Sequence, residues 1–453
     1  MMMTKLNRRE FLKTSSAAAI FAATPGLAFS QVIGGSGPFT DYRALVCVFL
    51  FGGNDSFNML VPRSDAEYAV YAASRQNLAI PQGDLLPINP VTGDGAQYGL
   101  HPSMTALQDV FESGAAAFVT NVGPLIEPTT KDQFFNKSVT LPPQLFSHND
   151  MRNQWSSLKG STTSKTGWAG RMADLIRTGV SGQKMATNAS LFGSNLFQSA
   201  DATVAYVMGP DGPIQFEGFS TDPGSLFYEQ RQAFQRIVNA GYASIYERGF
   251  AEIQNRAIEA ADTVSNAIAS APPLATLFPQ SQLGTQLATV ARLIAVRDEL
   301  QMQRQVFFVA ASGFDTHDKQ IDDQPDLLGG VSDAMSAFFL ATAELGISDS
   351  VTSFTQSDFG RTLTSNGDGT DHAWGGNQIV LGGAVRGRDL YGSYPLLQID
   401  GDEDVRGGRM IPSTSADQYA ATLAKWFGIA DADLDVVAPN LRNFVQRDLG
   451  FMV

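Results

Sequence analysis

Residues 305–318 read QVFFVAASGFDTHD. Half of the first eight positions are large apolar or β-branched, the composition of a buried strand. That strand runs directly into Gly313-Phe-Asp-Thr-His-Asp318, so it ends on two aspartates and one of the chain's four histidines. A solvated loop would account for such an ending, and so would a set of cation ligands gathered at a strand's carboxyl end.

Four more runs share the apolar, β-branched character: 44–51, 115–122, 351–357 and 377–383. Helical patterns lie between them. Residues 101–114 open on Pro102 and close on Gly114, and 326–346 and 415–428 carry helical period, the last with Gly428 as its stop. A long helical stretch over about 225–304 is broken at Ala271-Pro-Pro273, and 200–225 reads as a hairpin or loop excursion. Strands alternating with helices predict an α/β fold with a mainly parallel, doubly wound sheet covered by helices on both faces. The domain reading is a single α/β domain over 31–453, with an excursion or cap at about 200–300.

In open α/β sheets ligands bind beyond the carboxyl ends of the strands. The first strand runs into Phe51-Gly-Gly-Asn-Asp-Ser56, where the glycines permit a tight turn that delivers Asn54 and Asp55 to that edge. The strand at 351–357 runs into Asp358-Phe-Gly-Arg361, and a Gly-rich loop at 367–376 carries His372. Three strands thus end on aspartate, with two histidines in the same loops. Carboxylate oxygens and imidazole nitrogens are what hard or borderline divalent cations bind. Like charges gathered at one edge would be unfavourable without a cation, by several kcal/mol in a poorly solvated site. Asp55, Asp315, His317, Asp358 and His372 are therefore expected to converge on one divalent cation, with zinc, calcium and manganese all open. His101 reads equally well as a structural hydrogen-bonding residue. His148 lies in Leu145-Phe-Ser-His-Asn-Asp150, where Ser147 and Asp150 have the spacing of a capping box that starts a helix. A hydroxyl at a helix N-terminus that faces a cation has its alkoxide stabilised, which makes Ser147 a candidate nucleophile.

The first thirty residues carry Arg8-Arg9, an Ala-rich apolar region and a small-residue site at Ala28-Phe29-Ser30. This resembles a twin-arginine export signal, which implies the export machinery as a partner and a periplasmic or extracellular location. Removing Lys5, Arg8, Arg9, Lys13 and Glu10 with that segment moves the formal net charge from −14 to −17. So acidic a chain, with no basic stripe, excludes nucleic acid as a partner. No apolar run is long enough for a membrane span in the mature protein. Cys47, the only cysteine, sits in an apolar run and reads as a small buried hydrophobe.

Taken as an ordered set, FGGNDSFNMLVP, YGLHPSM, LFSHNDMRNQW, GFDTHD, SDFGRT, GTDHAWGG and IPSTSADQYAATLAKWFG resemble the exported bacterial proteins called domain of unknown function 1501. That family in turn looks like a distant relative of the alkaline phosphatase and sulfatase superfamily, whose members hydrolyse phosphate or sulfate esters at one or two divalent metals. The resemblance implies Asp55 as the first-strand ligand, Ser147 at the nucleophile's place, Asp315 and His317 as a later ligand pair, Asp358 as the next aspartate and His372 as the final histidine. It leaves Arg152 and Arg361 either to contact an anionic ester or to form surface ion pairs. Two departures stand out. Asp315 and His317 are more closely spaced than the equivalent pair of the two-zinc phosphatases. Those enzymes also have Asp-His where this chain has Asp358-Phe359, which removes one ligand unless His148 replaces it. Two functions follow: a metal-dependent ester hydrolase, or a non-catalytic exported protein that keeps the fold and binds a metal or ligand. No G-x-S-x-G, H-E-x-x-H or phosphate-cradling loop supports another class.

Overall fold

The computed structural model describes residues 39–161, 163–214, 219–220 and 222–453. Residues 1–30, read above as an export signal, lie outside the described residues. The described strands in chain order are β1 (Arg43–Phe51), β2 (Leu60–Pro62), β3 (Leu86–Ile88), β4 (Tyr98–Leu100), β5 (Ala116–Gly123), β6 (Asn188–Ser190), β7 (Tyr206–Val207), β8 (Arg304–Ser312), β9 (Val351–Ser357), β10 (Gly376–Gly382), β11 (Leu390–Tyr391) and β12 (Thr414–Ser415). The main sheet has the order β11-β5-β10-β9-β1-β8-β6-β7, with β12 beside β5, and β2, β4 and β3 form a small separate sheet. Within the main sheet only β10 runs antiparallel to its neighbours. The expected mainly parallel α/β architecture is what the chain adopts.

Burial explains why the strand runs read as they do. Ala44, Leu45, Val46, Cys47, Val48, Phe49 and Leu50 are all buried, so both faces of β1 are covered, and the sequence shows a continuous apolar run in place of alternation. Leu45, Cys47 and Phe49 pack with Phe308, Phe354 and the helix Ala416–Phe427 through Tyr419, Ala420 and Leu423. That helix opens on a Ser415 capping box and stops at Gly428, whose φ of 113° suits glycine. Helices Gln282–Ala295 and Gln320–Glu344 pack against each other and touch β8 and β10 respectively. Cys47 is buried, as its neighbours predict.

Seven short strands escaped the sequence reading: β2, β3, β4, β6, β7, β11 and β12. Of these, β7 comes from residues 200–225 and pairs parallel with β6 at the edge of the main sheet, and Gly209 and Gly212 close a small antiparallel bridge just after it. The chain divides into two compact units, one of which takes 213–270 from the middle of the sequence, while 271–453 belongs with the sheet. Its described part is a pair of helices, Tyr228–Val238 and Ile245–Ser270, joined by an Arg231–Asp262 ion pair. Among the described residues no helix is long and apolar enough to cross a membrane.

One buried carboxyl in the sheet-covering layer sets an expected pH dependence. Burial pushes Asp417 up to about 7, although the Asn440 backbone N–H (2.9 Å) and amide (3.3 Å) both donate to it. Between pH ~4 and pH ~7 the native state keeps this proton and the unfolded chain releases it, so stability falls as pH rises through that window. Asp417→Asn is expected to flatten this decline and to be more stable than the parent at pH 8. Parallel thermal melts of the two proteins between pH 5 and 8 would check it; equal slopes would refute it.

Candidate metal centre

Strands β1, β8 and β9 are parallel neighbours whose ends are level: Phe51 lies opposite Ser312, and Leu50 opposite Ser357. The loops leaving them are therefore side by side. Close contact is enforced at Gly52, whose φ is 120° and where a Cβ would meet the Asp315 backbone nitrogen at 2.3 Å. Only glycine permits this approach. The 367–376 loop folds over the same edge, with Arg361 and His372 forming an isolated bridge, and the helix His148–Ser157 enters from the other side.

Three histidines and three aspartates meet there. The Asp315 carboxylate stands at the centre: His148 Nε2 is 3.4 Å from Oδ2, while His317 Nε2 (3.1 Å) and His372 Nε2 (3.4 Å) face Oδ1. His317 and His372 approach each other Nε2 to Nε2 at 2.9 Å. The opposite nitrogen of every ring faces an oxygen acceptor. His148 Nδ1 lies 2.6 Å from Asp358 Oδ2, His317 Nδ1 3.1 Å from Asp371 Oδ1, and His372 Nδ1 2.9 Å from the Phe146 carbonyl. Those acceptors assign the proton of each neutral ring to Nδ1. In those tautomers three lone pairs and a carboxylate face one another, an arrangement that could hold a cation.

The electrostatics agree. Burial acts to raise the Asp315 carboxyl, but the Arg361 hydrogen bond and charge outweigh it and hold it below the usual range, as a ligating carboxylate requires. Burial lowers the His372 imidazole, a shift in the direction of the neutral ring that a cation would require. Burial raises Asp358, against its bond from His148. His148, Asp315 and His372 alone bring one ligand atom each within 4.8 Å of one another, and the Asp315 and His317 side chains are each 43% exposed, so the cluster is open to solvent.

Not every expected ligand takes part. Asp55 is buried away from the histidines in an ion pair with Arg75, and Oδ2 also accepts from the Gln320 amide. It is not in the cage, because a guanidinium already neutralises it. It reaches the cluster only through a relay: Gln320 Oε1 accepts from Thr370 Oγ1 (2.6 Å), which accepts from Arg361 Nε (2.9 Å), whose Nη1 donates to Asp315 (2.8 Å). Asp358 is one step out, bonded to His148. Arg361 is completely buried and donates to Gly52 O, Thr370 and Asp315, so it fixes Asp315 and does not present itself to an ester. Ser147 does start its helix, yet its hydroxyl donates to Asp150 Oδ2 at 2.7 Å. Arg152 is half-buried on the same helix. His101 bonds Ser103 and stays structural, burial pushing it down to about 4. Missed from sequence were Asp371, beside His372 in the Gly-rich loop, and the Phe146 carbonyl, aimed by a left-handed φ of 73°.

The molecule is thus an α/β protein with a histidine–aspartate cluster at the carboxyl edge of its sheet. It belongs to the family described as "Protein of unknown function (DUF1501)", whose profile matches residues 42–419. No curated protein matches the chain. Among solved structures it is similar to "Ps i-CgsB in complex with k-i-k-neocarrahexaose", at 11% identity and a TM-score of 0.35, over 90% of this chain and 77% of that one. It is also similar to the PsFucS1 sulfatase from Pseudoalteromonas sp., at 9% identity and a TM-score of 0.33, over 86% and 68%.

Proposed function

We propose that this chain is an exported, metal-dependent hydrolase of phosphate or sulfate esters. The observation that carries the reading is the inward convergence of the His148, His317 and His372 Nε2 atoms on the Asp315 carboxylate, each ring with its Nδ1 engaged elsewhere. Three imidazoles and one carboxylate suit a borderline cation such as zinc, whereas calcium takes six or more oxygens. When bound, such a cation supplies Lewis acidity and lowers the pKa of a nearby hydroxyl or water. The chain's own residues do the rest. Arg361 pins Asp315, while Asp358, Asp371 and the Phe146 carbonyl hold the outer ring protons and so aim the inner lone pairs. Ser147 stands at a helix N-terminus next to His148, and Asp150, its hydrogen-bond acceptor at 2.7 Å, is placed to take the hydroxyl proton as Oγ attacks phosphorus or sulfur, to pass it to the alcohol oxygen as that bond breaks, and then to deprotonate the water that hydrolyses the serine ester. Export by the twin-arginine route, to the periplasm or beyond, is the location this reading assigns from the Arg8-Arg9 segment.

The Ser147–Asp150 bond also favours a second reading, a non-catalytic metal- or ligand-binding protein, because it ties the hydroxyl to a neighbouring side chain. Metal analysis of the purified mature protein, with aryl phosphate and aryl sulfate assays, separates the two. The hydrolase reading expects cleavage of one ester class and a loss of about 100-fold or more in Ser147→Ala, within the range of a lost nucleophile. A metal-loaded protein that cleaves neither ester would establish the binding reading. Ser147→Ala at the parent rate would remove the serine from the mechanism.

A further inference from the structure

The two arginines nearest the cluster's outer residues are both without a carboxylate partner. Arg152 donates from Nε to the His148 carbonyl at 3.2 Å and from Nη2 to the Asn149 amide oxygen, and its guanidinium lies 5.6 Å from the Phe51 ring centroid. Arg409, far away in sequence, repeats the arrangement. Its Nε donates to the His372 carbonyl at 3.0 Å, its Nη1 to the Arg406 carbonyl at 3.1 Å, and its guanidinium lies 5.3 Å from the Phe146 ring centroid. Each guanidinium is thus tied to the backbone of a histidine in the cluster and supported by an aromatic ring. Neither makes an ion pair among the described residues. Their charges are felt at the centre all the same: Arg152 acts on Asp358 and Arg409 on Asp371. Both side chains remain half-buried, with Nη hydrogens uncommitted.

From this geometry we infer that Arg152 and Arg409 form an anion clamp at the cluster, and that its ligand is a tetrahedral oxyanion, sulfate or phosphate, free or as the head of an ester. Arg409 takes the part that sequence gave to Arg361. The inference rests on the proposed cation in one respect. The charges of Arg152, Arg361 and Arg409 fall one short of those of Asp150, Asp315, Asp358 and Asp371, so a divalent cation leaves one net positive charge, which an oxyanion offsets. A guanidinium whose Nε is pinned and whose ring contact fixes its plane has little freedom left to lose when its remaining N–H groups meet an oxyanion. Lysine offers a point charge without that fork.

Calorimetric titration of the metal-loaded wild type with inorganic phosphate, and separately with inorganic sulfate, tests the clamp. At least one anion is expected to bind. Arg152→Ala and Arg409→Ala should each weaken it about tenfold or more with metal content unchanged, and Arg409→Lys should recover only part, since it keeps charge but not the fork. Arg406→Ala, whose carbonyl stays in place, should bind as the wild type does. Should Arg409→Ala fail to fold, Arg152→Ala and Arg409→Lys carry the test. A wild type that takes up metal but binds neither anion overturns the clamp and leaves the metal reading intact; so do arginine variants within twofold of wild type. Tight anion binding by a protein that cleaves no ester supports the clamp and sinks the hydrolase reading.

Discussion

If the cluster holds the proposed cation, Asp315→Ala is expected to abolish its binding. Asp315 is the one carboxylate that all three inner imidazole nitrogens face, at 3.1–3.4 Å, and it is held low by the Arg361 hydrogen bond and charge. Without it the three inner nitrogens lose the one carboxylate they share, and Arg361 places its positive charge beside the vacated site. Losing an outer partner of a ligating histidine costs roughly 10–100-fold in metal affinity. Deleting the ligand itself should exceed that, so Asp371→Ala is the informative comparator, since Asp371 reaches the cluster through the outer nitrogen of His317 and otherwise accepts from the Asn366 amide. Wild type dialysed against zinc should retain about one ion per chain, and excess zinc should raise its melting temperature, a stabilisation of ~2.7 kcal/mol at a hundred times Kd. Asp315→Ala should show neither effect. Undiminished zinc in that variant would end the case for this centre.

The strands were legible because burial on both faces leaves an unbroken apolar run, and five such runs fall within two residues of β1, β5, β8, β9 and β10. The two-residue strand β7 and three-residue β6 were not, because so short a segment has no periodicity to read. In the centre, Asp315, His317, Asp358 and His372 could be gathered from their positions just past strand ends. His148 entered only as a substitute for the histidine missing at Phe359. Asp55 occupies the same kind of position as Asp315, and nothing local separates the two. Their difference is decided by Arg75, twenty residues downstream on the helix Asp65–Arg75, and by Gln320, each chosen by tertiary packing. Arg361 misled for a related reason: a charged residue in a polar loop suggests solvent, yet it lies under the Gly-rich loop with its N–H groups directed to protein oxygens.

Arg75→Met is expected to cause the largest loss of stability of any single change at this edge. The Arg75 and Asp55 side chains are 0% and 1% exposed, and Arg75 also donates to the Thr362 carbonyl at 2.9 Å. Among the described residues Asp55 Oδ1 has no hydrogen-bond partner, so the guanidinium and the Gln320 amide, both on Oδ2, are what its side chain has for compensation. Removing one member of a buried pair costs about 3–5 kcal/mol, because the other is left charged in a poorly solvating interior. Methionine replaces much of the lost volume, which isolates the charge effect from a cavity effect. Adding Asp55→Asn to Arg75→Met should recover a large part of the loss, since a neutral amide is cheaper to bury than a carboxylate. Urea unfolding of the three proteins measures this, and an Arg75→Met midpoint equal to that of wild type would refute it. The same pair bears on how many cations the edge holds. At Asp55 the guanidinium supplies the positive charge that a second ion would supply in a two-metal centre, so wild type should carry about one ion per chain. Two per chain, with Arg75 intact, would put Asp55 back among the ligands.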